Sequence, residues 1–555
     1  MKKQWWQKDV FYQIYPASFY DSNNDGIGDL AGIDRKLNYL KALGINVVWL
    51  SPIYQSPMID NAYDISDYYQ INPIFGTMHD FNKLLNDIHE KNMKLILDLV
   101  VNHTSDKHPW FQEAIRNSNS KYRNYYIFRK GVNGNPPNNW RSNFGYGSAW
   151  SKVSNSDDYY LHVFSSKQPD LNWENPELRN DIYKMINWWL DKGVDGFRID
   201  AITFIKKDQD FESLPADGSD GLTKIKKKSE NRPGIQDFLH EMKAKCFNDR
   251  NIVTVGETSG IKNKDFPMYI GNDGVFSMAF DFRYADIDVE SGSEWYRRTR
   301  WQPNDLKKLI DESQEIIEQT QGGWSANFLE NHDQPRSVSK YIKDSEYQVN
   351  GIGAKALAMM YFFLRGCPFI YQGQELGIIN AKRTNINQFN DVSSISNYDQ
   401  MIKLGFSPQK ALEYVNLRSR DNARTPFPWN NTVNNGFNQG HQPWIKMNEN
   451  SLAENAEEQI KDSKSVFRFY QKLIKIRKKA ENIELLTGKY TKLNNLPKEI
   501  IGYQRGDHFK VLVNLSSLKV PIELSHYDLL CSNYEQSGIK SLRPYEAVLI
   551  RKKEF

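Results

Sequence analysis

Eight short apolar runs, each rich in β-branched or aromatic residues, recur between residues 9 and 373 and constrain this chain more than any other feature. They are DVFYQIYP (9–16), INVVWL (45–50), KLILDLVV (94–101), GFRID (196–200), IVTVGE (252–257), VFSMAFDF (275–282), SANFLENHD (325–333) and PFIYQG (368–373). Continuous apolar runs of this length read as strands buried on both faces. Between them lie stretches with apolar residues at helical spacing, such as Asp80–Lys91, Leu178–Lys192 and Gln236–Cys246. Strand alternating with helix predicts a parallel sheet. Eight such units predict an α/β fold, the (β/α)8 TIM barrel.

One gap breaks the rhythm. Residues 104–171, after the third run, are rich in Asn, Ser, Gly, Pro and aromatics and lack a clear helical period. A structureless loop of that length is unusual, so the segment reads as a small inserted domain over the barrel mouth. From about residue 481 to 555 the pattern changes to short strand runs with turn residues between them, such as IIGYQR and EAVLIR, which predicts a C-terminal antiparallel β domain. The barrel then occupies residues 1–103 and 172–480. Segments 207–234 and 380–400 read as long loops.

Composition narrows the function classes. The net charge is +4 over 555 residues, and a nucleic-acid footprint needs a clustered basic patch. The one dense run, KIKKK from Lys224 to Lys228, reads as a solvated loop or helix face. The three cysteines, Cys246, Cys367 and Cys531, are distant and odd in number, against both a disulfide framework and a cysteine-ligated metal. They fit a reducing compartment. No run approaches a membrane span, and the first residues do not read as a secretory signal. The expectation is a cytoplasmic protein, a monomer or weak homodimer, that binds neither nucleic acid nor membrane. Aromatics make up 13%; most serve a large core, though such rings also stack on sugars.

Active groups of barrel enzymes sit at the C-terminal ends of strands, and here those ends carry acids. The third run ends with Asp98, Asn102 and His103, the fourth with Arg198 and Asp200, the fifth with Glu257, and the seventh with His332 and Asp333. Acids are poor strand formers and costly to bury, so carboxylates from four strands on one rim imply chemistry. Arg198 and Asp200 share a strand face, and a guanidinium favours the ionised acid, which suits Asp200 as a nucleophile. Glu257, crowded by Asp200 and Asp333, is then the acid/base, and Asp333 the transition-state stabiliser. Such a pair of carboxyls is the equipment of a retaining glycosidase, with His103 and His332 donating to sugar hydroxyls. A further feature is DSNNDGIGD: Asp21, Asn23, Asp25, Ile27 and Asp29 alternate oxygen ligands with glycines as a hard-cation loop does. It predicts one structural Ca²⁺, with Mg²⁺ as the alternative.

DLVVNHTS (98–105), GFRIDAI (196–202), VGET (255–258) and FLENHDQPR (328–336) resemble, in order, the four signature regions of glycoside hydrolase family 13, the α-amylase family. QPDLNWENP (168–176) and DSNNDGIGDL (21–30) resemble that family's inserted-domain and calcium-loop segments. The likeness spans the whole chain and lies in the oligo-1,6-glucosidase and α-glucosidase branch. It implies a small oligosaccharide substrate and a pocket for terminal glucose lined by Asp60, Tyr63, Phe144 and Phe164, closed by Arg420 pairing with Asp60. FGYGSAW (144–150) carries an extra Tyr, TPFPW (425–429) departs from the usual TPMQW, and GETSG lacks the common Pro. Ala201, after the nucleophile, goes in this branch with α-1,4 linkages, where Val goes with α-1,6. The resemblance therefore implies an exo-acting, maltose-type α-glucosidase, with transglucosylation as a side reaction. Oligo-1,6-glucosidase and trehalose-6-phosphate hydrolase are the alternatives, the latter with a phosphate site at Arg297, Arg298 or Arg300. A non-catalytic sugar-binding relative is the remote one, against which stands the intact set Asp200, Glu257 and Asp333. SVSKYIKD (337–344) lacks the Arg-rich loop of a sucrose isomerase.

Overall fold

The computed structural model describes residues 4–144, 147–218, 220–290, 294–449, 455–535 and 540–553. Each of the eight apolar runs contains a strand: β1 (Phe11–Ile14), β2 (Val47–Leu50), β3 (Lys94–Val100), β4 (Gly196–Asp200), β5 (Val253–Glu257), β6 (Met278–Phe280), β7 (Ser325–Asn327) and β8 (Cys367–Tyr371). They pair in chain order, all parallel, and β8 returns to β1 with Phe369 opposite Phe11, closing a barrel. The chain is a (β/α)8 barrel with an antiparallel sheet after it.

The barrel interior is filled rather than open. Phe11, Trp49, Val255, Met278, Phe280 and Phe369 belong to one buried cluster. Trp49 is 1% exposed, so its truncation to Ala costs roughly 3–5 kcal/mol. Outside, helices turn apolar stripes to the sheet. Met78–Glu90 buries Phe81, Leu84, Leu85 and Ile88 and opens on a capping box between Thr77 and Asp80. Pro176–Asp191 is capped by Asn175 and buries Leu178, Ile182, Ile186 and Trp189.

The insertion after β3 contains a helix, Pro109–Arg116, and a three-stranded antiparallel sheet of Phe128–Lys130, Asp158–Leu161 and Trp150–Lys152. Its Trp140–Arg141 pairs with Thr223–Lys224, so the segment following β4 is tied to the insertion. That segment, 207–234, is mostly irregular, with one helical turn at Lys226–Ser229. The stretch 380–400 differs from its loop expectation: Val392–Lys403 is a 12-residue helix capped by Asp391. Its Ser- and Asn-rich surface masks a short apolar stripe whose Met401 packs with Trp295, Ala411 and Val415. The last sheet runs in the order Tyr490–Lys492, Ile500–Arg505, Phe509–Asn514, Ala547–Lys552, Tyr527–Ser532. It is fixed to the barrel helices by Tyr503, whose hydroxyl donates to the Met360 carbonyl at 3.0 Å. Among the described residues no helix is long and apolar enough to cross a membrane.

Candidate active site

The ends of β3, β4 and β5 meet around one guanidinium. Arg198 is wholly buried. Its Nη1 donates to Asp98 and to Asp200, each at 2.6 Å, and its Nη2 lies 2.7 Å from a Glu257 oxygen. The other Glu257 oxygen accepts the Ala201 N–H at 2.7 Å. Ala201 can present that N–H because its backbone is left-handed, φ +43°. Asp98 is held further by Trp49 Nε1 (3.0 Å) and the Tyr63 hydroxyl (3.1 Å).

Three carboxylates thus share a single cation. Burial pushes the Asp200 carboxyl well above the usual range; Glu257, Asp98 and Asp333 add to the push and Arg198 opposes it. Burial likewise raises Asp98 to about 6. Sequence reasoning assigned Arg198 to lowering Asp200 alone. That fails because the guanidinium is divided among three acids, one of them contributed by β3 and one by β5.

Asp333 has the opposite environment. It accepts from Arg424 at 2.8 Å and Arg420 at 3.3 Å. Against the upward effect of burial, His332, Arg420 and Arg424 hold its carboxyl well below the carboxylate range. His332 is kept neutral by burial, its pKa pushed down to about 3. Gln13 Nε2 lies 2.7 Å from Nδ1, which leaves Nε2 to donate to the Tyr63 hydroxyl at 2.6 Å. Tyr63 in turn donates to Asp98, so a relay of hydrogen bonds joins the two clusters. The Tyr63 and His332 rings stack at 5.1 Å.

Asp60 accepts from Arg420 at 2.9 Å and from Gln168 at 3.0 Å. Arg420 also donates to Asp391 at 2.7 Å and lies 5.0 Å over the Phe144 ring. His103, pushed down to about 4 by burial, is neutral and faces Gln168 at 3.2 Å. Phe164 packs on His103 and Phe144 at 5.4 and 5.0 Å.

These groups line a cavity of about 250 Å³. Asp60, Tyr63, His103, Phe144, Phe164 and Arg420 are among its lining, together with Asp200, Ala201, Glu257 and Asp333. Lys226, Asp286, Trp295, Asn397 and Arg418 line it as well. Arg198 and His332 stand behind the cavity, one atom layer away through Asp200 and Tyr63. Gly145 and the extra Tyr146 lie outside the described residues. Sequence reasoning missed Gln168, Asp391 and Arg424 as partners of these groups. Arg424 had a legible signal, four residues after Arg420 in the same segment; Asp391 had none, since it arrives from the helix hidden in 380–400.

The KIKKK run is exposed at Lys226 and Lys227, and three of its lysines are ion-paired. Lys224 pairs with Glu294 at 2.8 Å, Lys227 with Asp217 at 3.0 Å and Lys228 with Asp210 at 2.5 Å. The proposed phosphate arginines are similarly engaged: Arg298 by Asp288 at 2.8 Å, Arg297 by Glu294 at 3.2 Å.

In the 21–29 loop the acids serve their own backbone. Asp21 accepts the N–H groups of Asn24 (2.7 Å) and Gly26 (2.8 Å). Asp25 accepts that of Ile27 at 2.9 Å, and Asp29 caps a helix through Gly32 at 2.6 Å. Among the described residues no three acid, His or Cys side chains converge as a metal cage. The side-chain oxygens of these residues are hard donors, the chemistry a Ca²⁺ or Mg²⁺ ion takes; here Asn23 Oδ1 accepts the Asp25 N–H and Asn23 Nδ2 donates to the Asp25 carboxylate, each at 3.0 Å.

The pattern of the alpha-amylase catalytic domain matches residues 13–485. This chain belongs to the α-amylase family. It is thus a glycoside hydrolase of family 13. It is 41% identical to an oligo-1,6-glucosidase of Bacillus cereus, over all of both chains. It is 42% identical to a trehalose-6-phosphate hydrolase of Bacillus subtilis (strain 168), covering 99% of this chain and 98% of the relative. The crystal structure of trehalose-6-phosphate hydrolase from Bacillus licheniformis superposes with a TM-score of 0.91 at 39% identity, covering all of both chains.

Proposed function

We propose that this family 13 hydrolase is an exo-acting, retaining α-glucosidase that releases terminal non-reducing α-glucose from short oligosaccharides, with α-1,4 linkages preferred. The observation that carries it is one guanidinium touching both Asp200 and Glu257. A retaining pair stands roughly 5–5.5 Å apart, an inverting pair 6.5–9.5 Å with water between, and a shared Arg198 favours the short separation.

Asp200 attacks the anomeric carbon while the bond to the leaving oxygen breaks. Glu257 donates its proton to that oxygen. Water then attacks the glucosyl ester, Glu257 takes the water's proton, and Asp200 leaves as carboxylate. A second sugar in place of water gives transglucosylation. Burial raises Asp98 and Asp200, so the acids that share Arg198 hold a proton in the ground state. Asp333, Tyr63 and His103 would hold the glucose hydroxyls, while His332, buried behind them with both ring nitrogens engaged by Gln13 and Tyr63, would position Tyr63 rather than touch the sugar as the sequence suggested. The Asp60–Arg420 pair would meet the non-reducing end and stop the chain there, which supports exo action.

Ala201 supports the α-1,4 preference, because a β-branched residue there would crowd the middle of the cavity. The relatives named oligo-1,6-glucosidase and trehalose-6-phosphate hydrolase favour a second reading, isomaltose-type or phosphorylated substrates. Glucose release from maltose, isomaltose, sucrose and trehalose 6-phosphate, side by side, decides. Best activity on maltose upholds the preference; best activity on isomaltose or the phosphate overturns it and leaves the hydrolase chemistry intact. The 21–29 loop, by its donors, would take one structural Ca²⁺ or Mg²⁺ away from the cavity. A chelator should then lower the melting temperature, with Ca²⁺ restoring it; an unchanged melting temperature overturns this. The three cysteines are buried and unpaired, which supports work in a reducing compartment.

A further inference from the structure

We propose that Lys226 selects the leaving-group sugar: its ammonium donates to an oxygen on the sugar beyond the scissile bond. This inference rests on the α-glucosidase reading above and adds the residue that reads the second ring.

Of the four lysines in the KIKKK run, three are held by carboxylates at 3.0 Å or less. Lys226 lines the cavity, and its nearest recorded carboxylate, Glu230, is 3.9 Å away. Its side chain is 37% exposed, so it is hydrated and available. The other two cations of the lining are committed: Arg420 to Asp60, Asp333 and Asp391, and Arg418 to Asp286 and Asp288 at 2.8 Å each. Lys226 is therefore the lining cation with capacity for a ligand.

Its position is fixed by its neighbours. Thr223 N–H donates to Asn139 at 2.8 Å and Ile225 N–H to Arg141 at 3.1 Å, both in the insertion. Ile225 is fully buried in a cluster with Trp140, Trp150 and Phe204. The Lys226 ammonium lies 5.9 Å over the Phe204 ring, itself part of the cavity lining. The recorded neighbours of the ammonium are Phe204 and Glu230, neither of them a glucose-holding group, which places it toward what the glucose is attached to. An ammonium offers three donors and no fixed fork, which suits either hydroxyl or phosphoryl oxygens.

The test is kinetics of Lys226→Met, which keeps the stem and removes the charge, and of Lys226→Arg. Substrates are p-nitrophenyl α-glucoside, whose leaving group lacks sugar hydroxyls, and maltose, isomaltose and trehalose 6-phosphate. For Lys226→Met, kcat/KM on the best sugar substrate should fall about tenfold, as for a lost charged hydrogen bond. The loss should be at least about fivefold larger than on the aryl glucoside and appear chiefly in KM, with Lys226→Arg recovering most of it. If trehalose 6-phosphate alone suffers, the oxygen read is phosphoryl; if the neutral disaccharides suffer, it is hydroxyl. Equal losses on the aryl glucoside and the sugars, or no loss on any, overturn the proposal. A wild-type protein that cleaves none of these substrates sinks the α-glucosidase reading instead.

Discussion

The two buried charge clusters of the cavity use the same residue types in different ratios. Around Arg198, three carboxylates (Asp98, Asp200, Glu257) share one guanidinium. Around Arg420 and Arg424, three carboxylates (Asp60, Asp333, Asp391) share two. With one more cation, the second cluster holds Asp333 and Asp391 below their ordinary range despite burial, although Asp60 is raised by burial. The first cluster is short of cations, and burial raises Asp98 and Asp200. A cluster that must keep a proton can move one; a cluster of ionised acids and arginines can only bind. On the proposed function, the ratio of guanidinium to carboxylate would separate where bonds break from where sugar is held.

The largest break of this comparison is Asp200→Asn. It removes the nucleophile with little change in shape, and kcat on p-nitrophenyl α-glucoside should fall by at least ~10⁴-fold while far-ultraviolet circular dichroism stays native. Substantial residual turnover would move the covalent step to another residue. Next is a pair of cation deletions. Arg198→Met leaves three buried acids with no cation, a loss of roughly 3–5 kcal/mol of stability. Arg424→Met leaves Arg420 still bound to Asp333, a loss of about 1–3 kcal/mol. Urea unfolding midpoints of the two variants rank the clusters; the reverse order would show that cation shortage is not what distinguishes them.

The clusters also predict opposite responses to acid. Asp98 has its folded pKa raised to about 6 from a reference of 3.8, so the folded state holds the proton more tightly than the unfolded one. Its contribution to stability is full below the reference value and is lost as pH rises through about 6. Asp333, held low, contributes stability above the reference value and loses it as pH falls below about 4. Between pH 4 and 6 the Arg198 cluster therefore gains stability on acidification while Asp333 stays constant. Asp98→Asn should remove a slope on the order of 1–3 kcal/mol over that window, read from urea midpoints at pH 4.5, 5.5 and 6.5. An unchanged slope would place the shared proton elsewhere.

The fold was legible because strand and helix periods are local properties. Seven barrel strands fall inside a run read from the sequence and the eighth starts one residue before its run, at Cys367, and the acids Asp98, Asp200, Glu257 and Asp333 are legible because charge at the end of an apolar run conflicts with burial. What was not legible depends on distance between elements. That Arg198 is shared by Asp98, 100 residues away in the chain, follows from the β3–β4 register, which sets Arg198 opposite Asp98, and a linear reading sees only Asp200 beside it. The helix Val392–Lys403 was hidden because its cap and exposed face are Ser and Asn, residues that also make loops. The ion pairs of the lysine run were not legible either, since one partner, Glu294, lies seventy residues from Lys224.

The smallest effect tests the boundary between the clusters. Ala201 sits between nucleophile and acid/base, at φ +43° with its N–H on Glu257. A non-glycine residue in this conformation is already strained, and β-branching adds to the strain. Ala201→Val should therefore cost about 1 kcal/mol of stability. It also puts two methyl groups where the cavity is 6% exposed at Ala201, next to the carboxyl that must protonate the leaving oxygen. If Ala201 reports linkage, the variant should raise the isomaltose-to-maltose ratio of kcat/KM several-fold, about 1 kcal/mol of selectivity, as expected for a methyl-sized change in a pocket. A ratio that stays fixed while stability falls would make Ala201 a backbone device for aiming one N–H at Glu257, and would leave substrate choice to Lys226 and the rest of the cavity lining.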